Sequence, residues 1–159
     1  MYKVQFVMEG FSWAQRHEAA ERMRDLLDCL TKQNVRWLLR HPYAPPLYKS
    51  GVVYQREPPG QEDWQDIPTT LRRRNGDCED LACWRAAELQ VRKWPAIAFG
   101  RARPMLVPGQ REPGTLWHIQ VLHPTGVVED PSRRLGMDAR AAQEAASGWW
   151  DPLFWRRAA

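Results

Sequence analysis

Cysteine is scarce in this chain: Cys29, Cys78 and Cys83 are the only three among 159 residues. An odd number cannot pair completely, so no disulfide framework is expected, and the thiols read as free groups of a reducing compartment. Long hydrophobic runs are lacking too. None approaches the ~20 residues that span a bilayer, and Met1 to Gly10 alternates and carries charge where a signal peptide would be apolar. We therefore expect no signal peptide, no membrane partner and a cytoplasmic location. Zinc-finger spacing, an RNA-recognition signature and any unbroken basic block are also missing, so the net charge of +4 reads as a solvated face and nucleic acid as an unlikely partner. There is no internal repeat and no low-complexity segment. The length suits one domain over residues 1–159, large enough to bury a core without disulfides or metal.

What the chain has in excess is tryptophan. Four of its nine, Trp117, Trp149, Trp150 and Trp155, fall in the last third. The tail 148–159 (Gly-Trp-Trp-Asp-Pro-Leu-Phe-Trp and the residues after it) either docks a protein partner through Trp149, Trp150, Phe154 and Trp155 or folds back over the domain. Arg72, Arg73 and Arg74 form a local cluster that reads either as recognition of an acidic group or as a solvated face.

Tyr2, Val4, Phe6 and Met8 alternate with polar residues as a half-buried strand does. A helix is expected from Ser12, a candidate N-cap, to His41-Pro42, with Met23, Leu26, Leu27, Leu30, Trp37 and Leu38 on one stripe and Cys29 near its margin. Prolines at 42, 45, 46, 58 and 59 around Val52-Val53-Tyr54 mark an ordered loop region with a short strand. Ala96 to Phe99 reads as a strand, Pro108 to Gly114 as a surface loop, and Trp117 to Asp130 as strand, turn and strand. A short helix follows over 138–147.

Residues 75–83, Asn-Gly-Asp-Cys-Glu-Asp-Leu-Ala-Cys, carry the chemistry. Asn75-Gly76 is a turn dipeptide, Asp77 a strong N-cap, and Asp80 stands at capping-box spacing. Cys78 thus opens a helix with Leu81, Ala82, Ala86 and Leu89 on its face. Unpaired N–H groups and the helix dipole there favour the nucleophilic thiolate. Glu79 and Asp80 oppose that field, so an imidazolium partner is expected. Cys83, ~140° around the helix, reads as core rather than as a redox partner.

A nucleophilic thiol needs a base, and the base needs an orienting acceptor. With a turn at Pro124-Thr125-Gly126, His118 falls opposite Asp130 or one residue away, with Cβ atoms ~5 Å apart if directly opposed. His123 competes, but an odd separation sends the two imidazoles to opposite faces, and mid-strand His118 is preferred. His17 and His41 have no acid at sensible spacing.

Trp64, Pro68, Gly76-Asp77-Cys78-Glu79-Asp80-Leu81-Ala82, Trp117-His118, Gly126 and Asp130 together resemble the transglutaminase-like cysteine protease superfamily, especially its small bacterial branch. The likeness covers roughly residues 64–132 and leaves 1–63, a helix and loop region, unmatched. It implies an α+β, papain-like fold in which the helix bearing the nucleophile packs on an antiparallel sheet. Cys78 then corresponds to the nucleophile, His118 to the general base and acid, and Asp130 to the orienting acid. The Cys78 N–H would supply one oxyanion donor, with Gln55 and Trp64 as candidates for the other. In the periplasmic adhesin-cleaving branch, acidic residues flanking the cysteine bind calcium; Asp77, Glu79 and Asp80 are similarly placed, but without an export signal they are read first as helix-capping charge. The implied function is a thiol-dependent amide hydrolase or acyl transferase acting on a protein or peptide. The alternative is a non-catalytic structural or assembly protein with the same fold, since small proteins similar to this occur among phage-encoded ones. Its location would then be the virion.

Overall fold

The computed structural model describes residues 12–58, 62–105, 111, 113–149 and 155. The strand expected over Tyr2–Met8 lies outside them, as do Trp150 and Phe154 of the tail and most of the expected loop 108–114. Helix α1 runs over Arg16–Arg40. Its N-cap is Gln15, not Ser12, because the Ser12 backbone is drawn into a bridge with Gly114 and Trp13 N–H donates to Pro113 O at 3.0 Å. His41 ends the helix where expected, its N–H turning back to Leu38 O. Met23 and Leu27 are buried and Leu30 packs beside them, whereas Cys29 is exposed. Thr31 and Asn34 are buried on the same helix although polar. Asn34 earns its place by accepting the Ile67 N–H at 3.0 Å.

The Pro-rich stretch is anchored by buried Leu47 and Val52 and contributes β1, Val53–Tyr54. Helix α2, Ile67–Arg73, is capped by Asp66, which accepts the Thr69 N–H, with a proline in its first turn. Arg74 closes α2 in the left-handed conformation (φ 61°). The arginine cluster is therefore a helix end, where positive charge suits the dipole, and Arg73 pairs with Asp63 at 2.6 Å. Strand β2, Asn75–Gly76, pairs in parallel with β1 and leads into α3, Cys78–Val91.

Helix α3 is central and buried on all sides. Ala82, Cys83 and Ala86 join α1 and the sheet in the larger core, and Leu81 and Trp84 join Leu47, Val52 and Ile67 in a second. A single apolar face does not describe a helix packed from both sides. An antiparallel sheet of β3 (Ile97–Met105), β4 (Gly114–Leu122) and β5 (Val128–Glu129) follows, in that spatial order. Helices α4 (Pro131–Arg134) and α5 (Ala139–Ala146) complete a mixed α+β fold. Trp149 exchanges backbone hydrogen bonds with Ala102, and Trp155 is fully buried, so these two tail residues fold back onto the sheet and core. Among the described residues, no helix is long and apolar enough to cross a membrane.

Candidate active site

The turn before α3 forms as its residues dictate. A Cβ on Gly76 would stand 3.1 Å from Asp80 Cβ and 3.2 Å from Thr70 Cγ2, so a side chain there would force α2 or α3 to give by a few tenths of an ångström. Asp77 and Asp80 form the reciprocal capping box, each carboxylate accepting the other's backbone N–H. Cys78 is consequently the first residue of α3.

Across the fold, β4 presents His118 and Gln120 on one face. The β4–β5 register pairs Val121 with Glu129, and its continuation sets Gln120, not His118, opposite Asp130. The imidazole reaches the carboxylate diagonally, with Nε2 2.9 Å from Asp130 Oδ2. Gln120 Nε2 donates to the same oxygen at 3.2 Å, and Gln120 Oε1 accepts from Arg101 Nε at 2.8 Å. Oδ1 of Asp130 caps α4 by accepting the Arg133 N–H at 3.1 Å. Against burial, which would raise it, the His118 contact and these N–H donors hold Asp130 below the usual carboxylate range. Only 5% of His118 is exposed, so the imidazole lies inside the fold rather than on its surface. His123 belongs to a different network: Nε2 lies 2.9 Å from Glu129 Oε2, and Nδ1 accepts from Trp94 Nε1 at 3.1 Å. His17 packs edge-on against Trp149, and His41 stacks on Trp37.

Cys78 and His118 come from elements that pack together, Cys78 lying against the core cluster that includes Ile119, the residue next to His118. The thiol itself donates to Glu79 Oε2 at 3.3 Å and makes no hydrogen bond to His118. Burial pushes the thiol well above its ordinary range, and the negative charges of Glu79 and Asp77 push it further, more than the Ile119 N–H offsets. The helix-start field is therefore outweighed in this conformation, and the sulfur rests protonated.

Of the two oxyanion candidates, Gln55 lies beside the cysteine turn and its Oε1 accepts from Asn75 Nδ2 at 2.7 Å, which leaves its side-chain NH₂ as a donor, whereas Trp64 donates to Glu62. Tyr54, which the sequence did not single out as a site residue, feels the charges of the cysteine turn. Burial raises its hydroxyl, and the nearby Cys78 and Asp77 raise it further, leaving a neutral donor beside the thiol.

Of the three carboxylates that resemble the family's calcium ligands, Asp77 and Glu79 converge, whereas Asp80 spends its oxygens on the N–H groups of Gln65 (2.6 Å) and Asp77 (3.2 Å). Glu57 and Glu62 replace it in the cluster. Asp77 Oδ1 and Glu79 Oε1 are buried without a hydrogen-bond partner among the described residues, and hard oxygen donors of this kind suit a cation of the calcium class.

Burial is the leading cause that lifts Glu57, Glu62, Asp77, Glu79 and Asp80, with Glu62 pushed up to about 7 and Asp77's charge next for Glu62, Glu79 and Asp80. The folded chain thus binds more protons than the unfolded one from the ordinary carboxylate range, about 4, up to about 7, and stability falls as pH rises through that window. Glu129 and Asp130, held low, act in the opposite sense only below it. With a chelator present, Tm is expected to be higher at about pH 5.5 than at about pH 7.5. The gain is on the order of 1 kcal/mol after discounting for the solvent that reaches Glu62, or roughly 2–4 °C. A thermal melt series showing a Tm that rises with pH would contradict this assignment.

No family model, curated protein or solved structure matches the chain.

Proposed function

We propose that the chain is a thiol-dependent amide hydrolase or acyl transferase with the papain-like arrangement of transglutaminase-like cysteine proteases. One observation carries the reading: a cysteine at the start of a helix packs against the core that includes Ile119 of β4, next in sequence to a buried histidine already held by an aspartate. With Nε2–H of His118 directed at Asp130, Nδ1 is the nitrogen left to accept the thiol proton.

In the first step the side chain of Cys78 turns from Glu79 toward His118, and Nδ1 takes the S–H proton as Sγ bonds to the carbonyl carbon. The charge gathering on the carbonyl oxygen is met by the Cys78 N–H, which has no partner within the helix, and by the Tyr54 hydroxyl. Collapse breaks the C–N bond, His118 protonates the departing amine, and a thioester remains on Cys78. Water, deprotonated by His118, then releases the acid; an amine in its place would complete acyl transfer. A divalent cation held by Asp77 and Glu79 would supply positive charge that relieves the repulsion these two carboxylates exert on a thiolate.

A second reading has its own support. The protonated thiol bonded to Glu79 rather than to His118 is what a non-catalytic assembly protein, such as a virion component, would retain. A peptidyl electrophile separates the two. Under the catalytic reading it labels Cys78 faster than exposed Cys29 in calcium, and His118→Ala removes that preference, as read by peptide mapping. Labelling no faster than at Cys29, with calcium or with chelator, would support the assembly role instead.

A further inference from the structure

We propose that the outer face of α1 is a self-association surface, on which a second copy of this chain lays its own α1 in the antiparallel sense about a two-fold axis near Cys29. Glu18, Glu21, Asp25, Asp28, Lys32 and Arg36 follow one another at steps of three or four, so they share one stripe of the helix, and all are exposed. The acids fill its N-terminal half and the bases, with Arg40 behind them, its C-terminal half; exposed Cys29 stands at the changeover. The helix dipole accounts for Glu18 in the first turn and Arg40 in the last. Its reach ends there and does not extend to Asp25, Asp28 and Lys32 in the middle turns.

A charge order that reverses at mid-helix is complementary to itself only when the second helix runs the other way. With the axis between positions 28 and 29, Asp25 meets the partner's Lys32, Glu21 the partner's Arg36, and Glu18 the end that carries the partner's Leu39 and Arg40. Symmetry repeats each pair and closes the interface at two copies. Contacts within the chain leave these charges available. Glu18, Glu21, Arg36 and Arg40 make no ion pair among the described residues, and Asp25 reaches Arg24 Nε only at 3.9 Å. Lys32, 2.5 Å from Asp28, would bridge its own Asp28 and the partner's Asp25. Arg22 and Arg24, the bases within the acidic half, are half-buried and already engaged. A polyanion would be repelled by the acidic half and a basic protein by the other, whereas a second copy matches both. Leu39, 64% exposed, adds apolar area at each end. Exposed ion pairs are individually weak, and a single helix pair lies at the low end of interface sizes, about 1,200 Å² or less, so the dimer is reversible and salt-sensitive.

The pairing uses neither Cys78 nor His118 and holds under either reading of that site. Sedimentation of the full chain is expected to show a monomer–dimer equilibrium in about 20 mM salt that weakens at least tenfold in about 200 mM. The axis brings the two Cys29 side chains within one helix–helix spacing, about 8–10 Å. A short bis-maleimide should therefore join two chains there, as located by peptide mapping, and Cys29→Ser should prevent it. Glu21→Lys with Asp25→Lys, and separately Lys32→Glu with Arg36→Glu, should each lower the yield of cross-linked dimer at least tenfold. An equimolar mixture of the two double variants should restore it as the mixed dimer, because one stripe is then mainly basic and the other mainly acidic. All four positions are exposed, and circular dichroism confirms that the variants fold. A chain that stays monomeric at about 0.1 mM in about 20 mM salt would overturn the proposal. So would folded double variants that dimerise like wild type, or a mixture that cross-links no better than either variant alone.

Discussion

Cys78→Ala is expected to abolish amide turnover, and Asp130→Asn to lower it by ~10³–10⁴-fold with the fold retained. The second effect follows from how Asp130 is used. Its Oδ2 accepts from both His118 Nε2 and Gln120 Nε2, and its Oδ1 accepts the Arg133 N–H that starts α4. Asparagine has only one oxygen. If that oxygen keeps the α4 cap, its NH₂ confronts two donors, and His118 relieves the conflict by moving its proton to Nδ1, where it can no longer accept one from the thiol. If the amide flips, the cap is lost instead. Turnover is measured on a peptide amide panel by mass spectrometry, and the His118 tautomer by ¹⁵N chemical shifts. Wild-type turnover in folded Asp130→Asn, or any turnover in purified Cys78→Ala, would remove the triad from the mechanism.

The cysteine turn was legible because its determinants are local. Asn75-Gly76, the Asp77 cap and Asp80 at capping-box spacing act within six residues, and the structure forms the box they imply. The nearness of His118 to Asp130 was legible from the turn at Pro124-Thr125-Gly126, which returns the chain alongside β4. The register was not. Strand β5 is two residues long, and the chain leaves it at Asp130 to begin α4, so the imidazole reaches back diagonally. Helices α2 and α4 were missed although each carries an aspartate cap followed by a proline in its first turn, which is a readable start signal. Glu57 and Glu62 carried no signal at all. They reach Asp77 and Glu79 through the β1–β2 pairing and the Asp63 contact, a tertiary arrangement that no spacing encodes. The resting state of Cys78 was half legible: the opposing carboxylates stand in the sequence, but the depth of burial that lets them prevail does not.

Trp155→Ala is expected to destabilise the fold by about 3–5 kcal/mol, which lowers Tm by roughly 6–20 °C. Trp155 is fully buried and meets Phe99 edge-on at 6.3 Å between ring centroids. It also walls a cavity lined by Leu27, Thr31, Gln90, Ile97 and Ala98, where α1, α3 and β3 converge. Truncation would enlarge that space, and the surrounding helices and strand cannot collapse far enough to fill it. Trp155→Phe, which retains an aromatic ring and leaves a smaller void, should recover a large part of the loss. The consequence reaches the question of function. Deleting residues 149–159 removes a core side chain and the Trp149–Ala102 backbone pair together, so a loss of assembly in that deletion would report unfolding rather than a missing docking surface. A thermal melt of Trp155→Ala matching wild type would reverse the conclusion, freeing the tail for a partner and making the deletion a clean test of assembly.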